Sequence, residues 1–261
     1  MFPFFRPLLL ATLLGLPAAG RALDCPALPA APAADTAAAP ALAPPYSVYE
    51  AAGGSYEAPL GIGRLHVPED GPQAYDWLQH VRLPLWQQPD AAPFLGWLVQ
   101  GRLAAAKHGS VPLTGAGLVE TSYEQSSFIV WEQRGSGWLR LRLAPGQEAW
   151  THSCHLAHGA ALRFQPWEDF LQGHGDWLHF RGEGPQLLRA APDAAARVVA
   201  RSGGDDKLTW LERRGDWLRV RLQQPDTSCS DPDARSTVHE GWVKWRDDKM
   251  GPRLWIYTRG C

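Results

Sequence analysis

The chain has 261 residues, of which 25 are Lys or Arg and 27 are Asp or Glu, so its formal net charge is −2. This near balance, with basic residues scattered rather than gathered in runs, argues against nucleic acid as a partner. The chain has 13 tryptophans and only two methionines. We therefore expect indole rings to form much of the core and to supply candidates for a binding surface.

The N-terminus has the layout of a secretory signal peptide. Arg6 precedes a short apolar run over residues 8–16, and small residues follow it. The run is shorter than the roughly 20 residues that a membrane-spanning helix needs. Cleavage is possible after Gly20 or after Ala22, and we favour Ala22. Residues 1–22 are therefore predicted to be a signal peptide, and the mature protein to be periplasmic or secreted, with no membrane span.

Four cysteines in an exported chain predict two disulfide bonds, and they allow three connectivities. We favour Cys229 with Cys261, because both lie in the same C-terminal segment, which leaves Cys25 to pair with Cys154. A lipid anchor on Cys25 is disfavoured, because Asp24 stands where lipidated cysteines follow a small residue.

Residues 23–45 are almost entirely alanine and proline, a composition that buries no core and is typical of an extended or disordered linker. From Tyr46 onwards, short β-branched and aromatic runs alternate with glycine- and proline-rich turns. This spacing predicts an all-β fold.

The remaining chain contains two copies of one unit, predicted to span 46–157 and 158–261. Each copy has an Asp-Trp-Leu segment, a Pro-Asp-Ala-Ala turn, a polar turn with an Arg-Gly pair, and a strand that begins Trp-Leu-Arg. These elements cover 76–78, 89–92 and 134–143 in the first copy, and 176–178, 192–195 and 214–222 in the second. The first copy carries an insertion over 101–116, and the second is expanded over 223–240.

Side chains alternate in the repeated strand, so one face should be buried and the other should point outward. The predicted core residues are Leu139, Leu141 and Leu143 in the first copy and Leu218, Val220 and Leu222 in the second. The predicted outward residues are Trp138, Arg140 and Arg142, with Trp217, Arg219 and Arg221 as their counterparts. Trp77 and Trp177, in the repeated Asp-Trp-Leu segments, are expected to pack in the core.

This hairpin strand, followed by Gly241-Trp242-Val243, resembles the bacterial SH3 domain family. The resemblance covers most of the chain after residue 46 and implies two tandem SH3-like small β-barrels. By position it also implies ligand contacts at an aromatic groove. The candidate ligand-binding residues are Trp138, Arg140 and Trp150 in the first copy, and Trp217, Arg219 and Trp242 in the second. Bacterial relatives often target cell-wall peptides. The acidic loop and paired tyrosines with which eukaryotic SH3 domains bind proline-rich peptides are not recognisable, so that specificity is not carried over.

The outward tryptophans and arginines have a competing interpretation. Arginine stems and indole rings cover exposed sheet well, so these side chains could stack on one another and on neighbouring loops instead of binding a ligand. The sequence leaves both interpretations open.

No catalytic residue, metal or cofactor is predicted. The segment Asp226–Cys229 superficially resembles the Asp-Cys-Ser signature of cell-wall peptidases, but the later His239 lies too close in sequence, and a disulfide-bonded thiol is not a nucleophile. His152, His155 and His158 surround Cys154 and are possible metal ligands, but oxidation of Cys154 would remove the best ligand of that set.

Two functions are compatible with these features. The first is a non-catalytic cell-envelope module that recognises peptide or cell-wall fragments through tryptophan-lined grooves. The second is an inhibitor or accessory subunit of an exported enzyme, with the insertions after Gly101 and Gln223 as natural docking sites for that protein.

Overall fold

The computed structural model describes residues 25–30, 59–68, 76–90, 93–99, 102–105, 110–112, 118–123, 125–135, 137–144, 147–182, 184–203, 206–225, 235–249 and 251–257. The predicted signal peptide, most of the predicted linker, Cys229 and Cys261 lie outside these residues. No helix in the described ranges is long and apolar enough to cross a membrane.

Antiparallel strands make up most of the described chain, in agreement with the predicted all-β class. The first sheet contains β1 (Gly63–His66), β2 (Arg82–Trp86), β3 (Phe94–Val99), β4 (Arg102–Ala105), β5 (Ser110–Pro112), β6 (Leu118–Ser122), β7 (Gln125–Arg134), β8 (Trp138–Ala144), β9 (Gln147–His152) and β10 (Arg163–Pro166). The later strands are β11 (Leu178–Phe180), β12 (Gln186–Arg189), β13 (Val198–Ser202), β14 (Lys207–Arg214), β15 (Trp217–Gln224), β16 (Thr237–Lys244), β17 (Arg246–Asp247), β18 (Gly251–Pro252) and β19 (Leu254–Ile256). The helices are α1 (Trp77–His80), a 3₁₀ turn (Ser153–His155) and α2 (Trp167–Gly173).

The two sheets repeat one strand order. The first runs β10-β1-β7-β8-β9-β2-β3-β4-β5 with β6 on β7, and the second runs β13-β12-β16-β15-β14-β11-β19. The path β7-β8-β9-β2-β3 therefore corresponds strand for strand to β14-β15-β16-β12-β13. Both sheets are open paths among the described residues rather than closed barrels. The predicted insertion of the first copy contributes β4 and β5, which extend its sheet.

The predicted hairpins and strand faces are confirmed. Strands β7 and β8 pair around one polar turn and β14 and β15 around its counterpart. The six apolar residues predicted on the inner face of β8 and β15 are all buried. Arg219 and Arg221 of β15 are exposed on the other face. The alternation follows because successive side chains of a strand point to opposite sides of the sheet.

The tryptophans on the outer face are less exposed than an outward position suggests. Trp138, Trp150 and Trp242 expose only 4%, 6% and 7% of their surface, and Trp217 is half-buried. The reason is that the outer face is itself covered. In the first copy Trp86 packs edge-on against Trp138 with ring centroids 5.3 Å apart, and such aromatic contacts favour burial of both rings.

The two Asp-Trp-Leu tryptophans differ in environment. Trp77 is buried as predicted, edge-on to Phe128 with ring centroids 5.0 Å apart. Trp177 is 47% exposed, so its predicted core position is wrong. In the second copy the earlier helix α2 places Trp167 and Phe170 in the core, and Trp177 is left at the surface, beneath the Lys207 ammonium at 4.0 Å.

The two copies are joined by paired strands and by side chains that share one core. Strand β10, which follows the predicted boundary between the copies, pairs with β1 of the first sheet. The Trp167 indole N–H donates to the Leu60 carbonyl over 2.7 Å, and buried Arg64 lies over the Phe170 ring at 4.2 Å. Leu60 and Ile129 belong to the core that contains most of the second copy. Residues of the first copy therefore complete the core of the second.

Equivalent tryptophans in the two hairpins should differ in their effect on stability. We expect Trp138→Ala to lower the free energy of unfolding by about 3–5 kcal/mol, because it removes a buried ring from the cluster with Trp86 and leaves a cavity. Trp217→Ala, at the matching position, should cost clearly less because that ring is half-buried. Denaturant unfolding monitored by far-UV circular dichroism measures both, and equal losses would contradict the assigned burial.

Candidate functional site

The outer face of each hairpin carries an arginine stacked on a tryptophan. The Arg134 guanidinium lies 5.0 Å from the Trp150 ring centroid, and the Arg214 guanidinium lies 5.0 Å from that of Trp242. Each arginine ends the first strand of its hairpin, and each tryptophan lies on the third strand of the same path. A cation over an indole face is attracted by the ring quadrupole, so the stacking contributes to holding both side chains in place.

Carboxylates join these arginines into ion-pair ladders. In the first copy Arg140 contacts Glu132 at 3.1 Å and Glu148 at 3.0 Å, and Arg134 also contacts Glu132. These pairs are partly exposed and therefore contribute little to stability, but they fix the positions of the charges.

The second copy repeats the ladder. Arg214 contacts Glu212 at 2.7 Å, and Glu240 accepts from Arg219 at 2.8 Å and from Arg221 at 3.2 Å. In both copies, the tryptophans and arginines of the outer face therefore stack on and pair with neighbouring side chains, as the competing interpretation of these residues expects. These glutamates were not among the predicted site residues, although a Glu-x-Arg segment precedes the polar turn in both copies.

The two copies differ at one paired position. Trp86 of β2 stands opposite Trp150 in the first sheet, whereas Arg189 of β12 stands opposite Trp242 in the second. Trp86, Trp138 and Trp150 therefore form a separate buried aromatic cluster in the first copy. The Arg189 side chain instead donates to the Ala196 carbonyl over 2.7 Å.

A cleft of about 660 Å³ lies against the aromatic cluster of the first copy. Trp150 and polar residues that follow β2 contribute to its lining. The charged lining residues are Arg134, Arg140, Asp90 and Glu148, and Gln87, Gln88 and Pro89 complete the lining. Two positive and two negative side chains therefore line the cleft together with Trp150. The predicted residues Trp150 and Arg140 both line this cleft, whereas Trp138 belongs to the buried aromatic cluster.

The predicted disulfide between Cys25 and Cys154 is confirmed, and the Cys229–Cys261 prediction lies outside the described residues. His152 Nδ1 lies 2.9 Å from Cys154 Sγ, and the His155 ring stacks on Trp86 at a centroid distance of 5.8 Å. Donor atoms of Cys25, Cys154 and His155 lie within 4.8 Å of one another. Because both sulfurs are bonded to each other, this group does not offer the thiolate ligands that a zinc site of this type needs.

Burial changes the titration of two histidines. Burial lowers the pKa of His155, and the neighbouring His158 and His152 charges lower it further, against the opposing effect of the hydrogen bond to the Pro26 carbonyl. In the second copy, burial together with the positive charge of Arg181 lowers the pKa of His179 to about 4. Both imidazoles are therefore favoured in the neutral form.

No protein-family model matches the chain, and no curated protein matches it. A solved structure described as NlpC2 from Trichomonas vaginalis shares 12% sequence identity with the chain, at a TM-score of 0.24. The match spans 78% of this chain and half of the length of that chain.

The shifted pKa of His179 predicts acid sensitivity. The pKa of the folded state, about 4, lies below the ordinary value of 6.5, so the unfolded chain takes up the proton first as the pH falls. The contribution of neutral, buried His179 to the free energy of unfolding is complete above pH 6.5 and is lost as the pH falls towards 4. This contribution amounts to about 3 kcal/mol.

Denaturant unfolding at a series of pH values tests this effect. His179→Gln should flatten the dependence of the unfolding free energy on pH in this window. An unchanged slope in His179→Gln would contradict the assignment.

Proposed function

We propose that this protein is a non-catalytic binding module of the cell envelope, and that the cleft at Trp150 holds peptides that carry both carboxylate and amino groups. The arrangement of charges in the cleft supports this proposal most directly. Arg134 and Arg140 can donate to a ligand carboxylate in exchange for their present glutamate partners. Asp90 and Glu148 can accept from an ammonium, and Trp150, which exposes 6% of its surface, lines the same cleft. Cell-wall stem peptides have this combination of groups.

The repeated strand order supports the further inference that residues 46–157 and 158–261 are tandem SH3-like units. Each path contains a hairpin whose second strand begins with tryptophan, followed by a third strand that carries another. The cleft lies on the outer side of that hairpin in the first copy. A shared fold does not determine function, so the proposed ligand is chosen from the charges that line the cleft.

A binding role fits the chemistry of the lining residues. The described residues that line the cleft offer hydrogen-bond donors and acceptors for a polar ligand, namely two arginines, two carboxylates and two glutamine amides. The Cys25–Cys154 disulfide and the N-terminal signal-peptide pattern support a periplasmic or secreted location, because disulfides persist in oxidising compartments.

Sedimentation with purified cell-wall sacculi tests the proposal. Arg134→Ala with Arg140→Ala should reduce the bound fraction by tenfold or more, because each lost charged hydrogen bond is worth about 1.5–3 kcal/mol. Arg214→Ala with Arg219→Ala changes the equivalent positions of the second copy and serves as the matched control, which should bind like the unchanged protein.

Equal loss in the two double variants would contradict the choice of cleft. If the folded, unchanged protein does not sediment with sacculi, the cell-wall function is wrong. In that case, retention of one exported enzyme from an envelope extract would favour the alternative of an inhibitor or accessory subunit.

A further inference from the structure

The Cys25–Cys154 disulfide lies between two imidazoles of the first copy. His152 Nδ1 lies 2.9 Å from Cys154 Sγ, and the two ring nitrogens of His155 lie 3.8 and 4.0 Å from Cys25 Sγ. Donor atoms of Cys25, Cys154 and His155 come within 4.8 Å of one another. The two cysteines are 129 positions apart in the sequence, so the fold is what brings these donors together.

Hydrogen bonds leave one lone pair on each imidazole next to the sulfurs. His155 Nε2 lies 2.9 Å from the Pro26 carbonyl oxygen, which can only accept, so Nε2 carries the proton and Nδ1 keeps its lone pair. His152 Nδ1 accepts from the Cys154 main-chain N–H over 3.3 Å, so it also carries a lone pair. Metal-binding histidines commonly donate their second ring N–H to a main-chain carbonyl, as His155 does here.

Packing within the first copy positions both imidazoles. The His155 ring stacks on Trp86 at a centroid distance of 5.8 Å, and His152 packs edge-on against Trp138 at 5.2 Å. A Cβ placed on Gly137 would come within 3.3 Å of the His152 ring, so this ring has little room to move there. The sheet and its turn therefore set the positions of the two imidazoles together with the disulfide.

Cys25 belongs to a segment, residues 25–30, that has further contacts with the first copy. Besides the bond from His155 to the Pro26 carbonyl, the Trp97 indole N–H donates to the Ala30 carbonyl over 3.1 Å. Cys25 itself is exposed. The segment is therefore bound through two main-chain carbonyls as well as through the disulfide, and an exposed Cys25 sulfur can move outward when that bond is absent.

The four donors match the chemistry of a zinc site once the sulfurs are reduced. Zinc prefers a tetrahedral set of thiolates and imidazoles, and two of each is a common combination. Zinc–ligand bonds of about 2.3 Å to sulfur and about 2.0 Å to nitrogen place a sulfur and a nitrogen ligand about 3.5 Å apart. The distances of 2.9 Å from His152 Nδ1 to Cys154 Sγ and of 4.0 Å from His155 Nδ1 to Cys25 Sγ lie on either side of that value.

We propose that the reduced chain binds a zinc ion at this place, and that formation of the disulfide expels the ion. The ligands are Cys25 Sγ, Cys154 Sγ, His155 Nδ1 and His152 Nδ1. A reduced state precedes every disulfide, because cysteine thiols are synthesised free and are oxidised afterwards. None of these ligands lines the Trp150 cleft, and the site does not rest on the function proposed for that cleft.

The exchange between the two states balances as follows. Zinc binding to the reduced chain releases the two thiol protons. Oxidation then transfers two electrons from the two zinc-bound thiolates to an oxidant of the disulfide class. The Cys25–Cys154 bond forms, the S–S bond of the oxidant breaks to give two thiolates, and the zinc ion is released.

Cobalt binding to the reduced mature chain tests the proposal. Co²⁺ replaces zinc in such sites, and a tetrahedral, thiolate-bound cobalt ion absorbs visible light far more strongly than the octahedral hydrated ion does. The chain reduced with a phosphine should bind a single Co²⁺ with the tetrahedral spectrum, and Zn²⁺ should displace it. The oxidised chain should not give this spectrum, because its sulfurs are bonded to each other.

Matched variants identify the ligands. Cys25→Ser changes an exposed ligand and should abolish the tetrahedral spectrum. His155→Gln and His152→Gln should each weaken binding by at least about tenfold, because even the loss of a partner outside the coordination shell costs about 10–100-fold. His158→Gln is the control, since that ring lies 5.7 Å from the His155 ring but outside the donor group, and binding should be unchanged.

Two further comparisons separate this site from the other cysteines and from metal bound elsewhere. Cys229→Ser with Cys261→Ser keeps all four proposed ligands and should bind Co²⁺ like the unchanged chain. Zn²⁺ should also slow closure of the Cys25–Cys154 bond by oxidised glutathione at least about tenfold relative to Mg²⁺, because the metal holds the attacking thiolates. Peptide mapping over time measures this rate.

Several outcomes would overturn the proposal. These are no saturable cobalt binding to a folded reduced chain, an octahedral spectrum alone, equal binding by the oxidised chain, unchanged affinity in Cys25→Ser, or loss of binding in the Cys229→Ser and Cys261→Ser variant.

A second measurement decides if the reduced chain does not fold without metal. Zn²⁺ is then added while the far-UV circular dichroism is followed, because binding to a site formed only by the fold drives folding. The folded spectrum should return in the unchanged chain and in His158→Gln, and not in Cys25→Ser. Absence of recovery in the unchanged chain, or equal recovery in Cys25→Ser, would show that the site does not exist.

Discussion

One-sided burial of the central hairpin strand is the constraint on which the rest of each copy depends. Because β8 and β15 each bury three apolar side chains on one face, their tryptophans and arginines must lie together on the other. Those arginines cannot be buried without partners, and indole rings cannot be left wholly in water without cost. Stacking of arginine on tryptophan and pairing with glutamate meet both conditions, and both copies use this solution.

The two copies use the shared framework differently. The change from Trp86 to Arg189 at equivalent positions replaces an aromatic neighbour of the outer tryptophan by a charged one. In the first copy the resulting aromatic cluster supports the Trp150 cleft on one side. On another side, Trp86 stacks on His155, which contacts the docked N-terminal segment. The second copy contributes a core that includes Leu60 and Ile129 of the first, so the two copies share packed residues.

The strand pattern was predictable from sequence because alternation on a strand depends only on neighbouring residues. It predicted the buried faces of β8 and β15, the hairpins and the repeat, and the Cys25–Cys154 pair followed from assigning Cys229 to Cys261. Contacts between distant strands were not predictable in this way. Trp138 was expected on an open face because nothing local indicates that Trp86 covers it. Trp177 was expected in the core because its local motif matches that of Trp77, whereas Trp167 takes the interior place. The docking of residues 25–30 was missed because an alanine- and proline-rich composition predicts only an extended chain.

The proposed function requires the first copy, and not the second, to present its outer aromatic face to a peptide. The most direct test is the ¹⁵N–¹H spectrum of the indole groups of the full chain during titration with a soluble cell-wall stem peptide. The account predicts that the Trp150 indole signal shifts saturably while that of Trp242, its counterpart in the second copy, stays in place. Equal shifts of both signals, or a shift of Trp242 alone, would contradict it.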